Sequence, residues 1–65
     1  MIDKIGENAG TVWRTLEKNG QLSLGKLKTQ SGLSEKDLHL ALGWLAKEEK
    51  ITFTRKGNSY LVALA

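Results

Sequence analysis

The stretch 34–49, SEKDLHLALGWLAKEE, constrains the fold most, because it is the longest uninterrupted helical pattern in the sequence. Ser34, followed three residues later by Asp37, is a capping-box arrangement: a hydroxyl and a carboxylate placed to satisfy the first free backbone N–H groups. Leu38, Ala41, Leu42 and Leu45 then recur at three- and four-residue steps, which stacks them on one helix face. Just before stands TQSGL, where Gly32 supplies backbone freedom for a turn and Leu33 fills the angle between two helices. Just after stands KITFTRKGNSYLV, a hairpin pattern.

Upstream, Ile2, Ile5, Ala9, Val12, Trp13 and Leu16 fall at helical steps and predict a first helix over 2–18 with one buried stripe. Gly6 and Gly10 weaken it, each by up to about 1 kcal/mol relative to alanine. Their spacing resembles a close-packing motif of membrane helices, but this helix carries too many charges for that use. Tolerated glycines, or the close approach of another backbone, account for them. Asn19-Gly20 ends the helix. Residues 21–23 read as a short extended piece, with Ser23 the N-cap of a second helix over 24–30 whose Leu24 and Leu27 face inward.

In the hairpin, residues 50–54 alternate Ile51 and Phe53 against Thr52 and Thr54, a half-buried strand. Either Lys56-Gly57 or Gly57-Asn58 serves as a two-residue loop. Residues 59–63 return with Tyr60 and Val62 on one face and Leu61 and Ala63 on the other. The last six residues, YLVALA, carry no charge and offer an apolar strip beside the sheet, where an exposed strand edge invites pairing.

Sixty-five residues make one domain, 1–65, with one small core. A chain of this size buries roughly 60% of the surface its unfolded form exposes, so it is marginal alone. With no cysteine it has neither a disulfide nor a thiolate metal site, which agrees with a reducing compartment. No apolar run approaches the roughly 20 residues of a membrane span, and no charged-then-apolar leader opens the chain. A soluble, cytoplasmic protein is expected. Net charge is +3, unevenly spread: residues 1–20 sum to zero, 21–33 to +2, 34–49 to −2, and 50–65 to +3. Basic charge thus sits on the second helix and the hairpin, while the central helix is acidic.

The order helix, short strand, helix, turn, helix, hairpin resembles a winged helix-turn-helix, an α+β fold with three helices and a small antiparallel sheet. AGTVWRTLEKNG followed by ALGWLAKEEKI resembles one small bacterial family within it, whose biochemical role is not established; Gly43 beside Trp44 in mid-helix is its most specific part. The resemblance implies the fold, and for function it implies only a superfamily tendency towards DNA binding and transcriptional regulation.

Catalysis finds little support, and no enzyme is expected. There is one histidine, no cysteine and no serine in a nucleophile-elbow pattern. His39 points away from the core stripe and has no ligand-type residue one turn on, at Gly43, so no metal site is expected. Neither a cofactor nor a small-molecule ligand is implied. Nucleic-acid binding needs cations for phosphates and side chains that reach base edges. Lys26 and Lys28 on the second helix, Lys36 and His39 on the third, and Arg55 and Lys56 at the wing tip are the candidates. The third helix holds no Arg, Asn or Gln for bidentate base contacts, so weak, mainly phosphate-backbone contact with DNA is expected. The alternative is a protein-interaction module, a homodimer using Trp13, Leu40, Gly43 and Trp44, because Leu40 and Trp44 lie off the core stripe. Trp44 has two readings: packing back over its own chain, or joining that interface.

Overall fold

Helix starts and stops lie where the capping residues put them. The computed structural model describes residues 2–65, with side chains from Lys4 onward. In chain order it contains α1 (Ile2–Asn19), β1 (Leu22–Ser23), α2 (Leu24–Ser31), α3 (Glu35–Lys47), β2 (Ile51–Lys56) and β3 (Ser59–Leu64). The expected place of Ile2 in the buried stripe lies outside the described side chains.

Ser23 Oγ accepts from the Lys26 N–H at 3.3 Å and Ser34 Oγ from the Asp37 N–H at 3.2 Å, so both serines are true N-caps. Gly20 (φ 74°) and Gly32 (φ 72°) take the left-handed conformation at the ends of α1 and α2. α3 stops sooner than the pattern over 34–49 suggests. Glu49 turns left-handed (φ 57°), its N–H bonds the Ala46 carbonyl, and the Lys50 N–H bonds the Leu45 carbonyl. That pair of bonds is a Schellman motif with glutamate where glycine usually stands. A side chain there strains the backbone, so Glu49→Gly is expected to stabilise the protein by about 0.5–1 kcal/mol, net of the looser unfolded chain. A higher urea midpoint would show it; an unchanged or lower one would mean that Glu49 gains something its own carboxylate supplies.

The sheet has strand order β1-β3-β2, antiparallel throughout. Its register runs from Ile51↔Leu64 to Lys56↔Ser59, so Gly57-Asn58 is the two-residue loop. The YLVALA end therefore supplies the middle strand. The strip expected to lie beside the sheet lies inside it, between β2 on one edge and the short β1, which pairs with Leu61 and Val62, on the other.

The core joins Ala9, Val12 and Leu16 of α1, Leu27 of α2, the four apolar residues Leu38, Ala41, Leu42 and Leu45 of α3, and Ile51 and Val62 of the sheet. Trp13, Leu22, Leu24, Leu33 and Leu64 pack against it, partly buried. The α3 stripe is buried as its spacing predicts. Phe53 is the exception: it shares the inward face of β2 with Ile51 but is 45% exposed. Strand alternation decides a face, not a depth. Ile51 sits at the base of the hairpin against the helices, whereas Phe53 lies two residues further out, where the wing has left them.

Candidate nucleic-acid interface

Helical geometry sorts the surface of α3 into three zones. Successive residues turn about 100°, so with Leu38, Ala41, Leu42 and Leu45 buried, Lys36, Leu40, Gly43 and Lys47 form the outermost row. His39 and Ala46 lean to the wing side and Trp44 to the α1 side. Glycine and leucine in that outer row leave only Lys36 and Lys47 in it to reach base edges, with no Arg, Asn or Gln beside them.

On the wing side lies a shallow groove of about 480 Å³, lined by Leu24, Leu42, Gly43, Ala46, Phe53, Tyr60 and the imidazole of His39. Tyr60, like Phe53, is 45% exposed. Phe53 pairs with Val62 and Arg55 with Tyr60, which makes Phe53 and Tyr60 diagonal neighbours on one sheet face. Beyond His39 the groove continues into a depression holding Lys28, Gly25 and Glu35. At the other end the Arg55 Nε donates to the Gly57 carbonyl at 3.3 Å, which ties the guanidinium to the turn, and Lys56 stands exposed beside it.

The six residues expected to meet nucleic acid are thus all exposed, but they do not form one cluster. Lys28 and His39 share one depression, and Arg55 and Lys56 share the wing tip. Lys26 lies in the first turn of α2, its backbone N–H held by Ser23. Lys36 faces the α1 side, with Leu40, Lys4, Asn8 and Asp37.

The four residues expected at a dimer interface separate as well. Trp13 and Trp44 line a second groove of about 470 Å³ between α1 and α3, together with Gly6, Gly10, Arg14 and Lys50. Trp44, 38% exposed there, half packs on its own chain and half faces water. Gly43, in the outer row, borders the wing-side groove, and Leu40 lies between the two. Gly43 and Trp44 stand about 100° apart around the helix, so each borders a different groove.

The aromatic pair on the wing is what sequence reasoning missed. Of the two loops the sequence allows, Gly57-Asn58 sets Tyr60 opposite Arg55 and leaves Phe53 one diagonal step away. Among the described residues no three of His, Cys, Asp and Glu come together in a way that would hold a metal ion, and no helix is long and apolar enough to cross a membrane.

The chain matches a family model, a relative and a solved structure. A family model described as winged helix-turn-helix domain (DUF2582) matches residues 1–64. An uncharacterized protein of Methanocaldococcus jannaschii, MJ1608, is 34% identical over 67 residues, covering 98% of this chain and 94% of its own. The solution NMR structure of protein BT2368 from Bacteroides thetaiotaomicron superposes with a TM-score of 0.86 at 34% identity, over 95% of this chain and 76% of that one.

Proposed function

The chain belongs to the winged helix-turn-helix domain (DUF2582) family, and on that premise we propose that it is a transcription-associated, nucleic-acid-binding domain that holds the phosphate backbone and does not read sequence. The observation that carries this reading is the placing of cations on three elements around the exposed side of α3: Lys26 and Lys28 on α2, Lys36 on α3, and Arg55 and Lys56 at the wing tip. Phosphate contacts fix position and carry no sequence information. The carboxylates at both ends of α3 keep the field around it weak, so affinity is modest and strongly dependent on salt.

Binding measured over a salt series tests it. Five phosphate contacts give a log–log slope of roughly −4 to −5, with little difference between unrelated sequences. No binding at low salt would refute the proposal, and a shallow slope with strong sequence preference would refute its phosphate-only character.

The Trp13–Trp44 groove favours a second reading, in which the domain pairs with another copy through Trp44, Trp13 and Leu40. A tryptophan left over a third exposed on a 65-residue domain is apolar area that a partner would bury. Its mass in solution across a wide concentration range decides that reading.

A further inference from the structure

We propose that the wing-side groove takes single-stranded nucleic acid, with bases stacked on Phe53 and Tyr60 and phosphates held by the cations around them. This rests on the nucleic-acid reading above and narrows its ligand. The groove is lined by apolar groups, and its side-chain polar groups are the His39 imidazole and the Tyr60 hydroxyl. A phosphate gains nothing inside it, whereas the flat face of a base does.

Its two exposed aromatics are the only phenylalanine and the only tyrosine of the chain. As diagonal neighbours they stand about 7–8 Å apart, far enough to serve two successive bases. Gly43 keeps the opposite wall low, since a Cβ there would meet nothing of this chain. Aromatic side chains beside a positively charged track are how proteins hold single strands without reading sequence.

Charge selects among occupants. Lys28 lies at one end, Arg55 directly across from Tyr60 with Lys56 beyond it, and Lys47 in the outer row of α3. Glu35 is the one carboxylate lining that end of the depression. A second copy docked face to face would bring these cations against themselves, because a two-fold contact pairs a patch with its own image. A duplex offers the cations its phosphates but keeps its base faces stacked away from Phe53 and Tyr60. A single strand satisfies both.

The test is fluorescence anisotropy with labelled oligothymidylate and oligouridylate of about 12 nucleotides, against a duplex of equal length, at low salt. The single strands are expected to bind at least tenfold more tightly than the duplex. Phe53→Leu and Tyr60→Leu, which keep apolar bulk and remove the ring, should each weaken strand binding by about tenfold and leave duplex binding unchanged. Phe53→Tyr and Tyr60→Phe should retain it, and circular dichroism confirms that each variant folds. The ranking of oligothymidylate against oligouridylate tells whether DNA or RNA is the better source, and tighter binding of either strand supports the proposal.

Equal affinity for strand and duplex, unmoved by the leucine variants but lost with Arg55→Ala or Lys28→Ala, would overturn the groove assignment and leave the phosphate reading standing. No binding of any nucleic acid would overturn both. A wild-type dimer that the leucine variants split, with no oligonucleotide bound, would make a second copy the occupant and overturn the proposal.

Discussion

Leu27→Ala is expected to cost about 3–5 kcal/mol, and Leu42→Ala less, about 2–3 kcal/mol. Both leucines belong to the buried core and lose the same atoms, so the transfer contribution is equal. What differs is the space left behind. Leu27 of α2 is fully buried and lines none of the grooves described above. Leu42, 4% exposed, also lines the wing-side groove, and a cavity opened there joins a surface depression that neighbouring side chains and water can enter. A domain of this length holds only about 3–10 kcal/mol in total, so Leu27→Ala brings it close to unfolding. Urea denaturation of both variants checks this. Equal losses would mean that the groove gives no relief, and a small loss at Leu27 would contradict the packing.

Val62→Asp is expected to abolish folding at room temperature. Val62 is fully buried on the middle strand, paired with Leu22 on one side and Phe53 on the other. An aspartate there is surrounded by leucines, valine and isoleucine of the core, with no cation among the core residues to pair it. Burying an unpaired carboxylate costs several kcal/mol even after relaxation, on top of the lost valine contacts. That sum matches or exceeds the whole stability of the domain. The isosteric Val62→Thr should cost far less, about 1–2 kcal/mol, since its hydroxyl is uncharged. A cooperatively folded Val62→Asp protein would show that β3 is not the centre of the sheet.

Most of the fold was legible in the sequence because local chemistry agreed with it. Ser23 and Ser34 announce helix starts, Gly20 and Gly32 announce ends, and three- and four-residue spacing picks out the α3 core. The hairpin register was open between two loops of equal length, of which the structure takes Gly57-Asn58. Depth was not legible. Phe53 alternates in phase with Ile51, and only the distance of the wing from the helices leaves one exposed and the other buried. The end of α3 was misplaced by two residues because a left-handed glutamate carries no sequence signal of the kind a glycine does. Of the candidate dimer residues, Gly43 borders the wing-side groove and Trp44 the groove against α1. The candidate cations all lie on exposed faces. The aromatic pair between them emerged only once the strands were in register.

The most direct test of a nucleic-acid-binding face built from α2, α3 and the wing is a backbone amide shift map recorded while nucleic acid is added at low salt. Shifts are expected at Lys26, Lys28, Lys36, His39, Arg55 and Lys56, and at Phe53 and Tyr60 with a single strand, fading together as salt rises. Shifts confined to the Trp13–Trp44 side, or none at all, would contradict it.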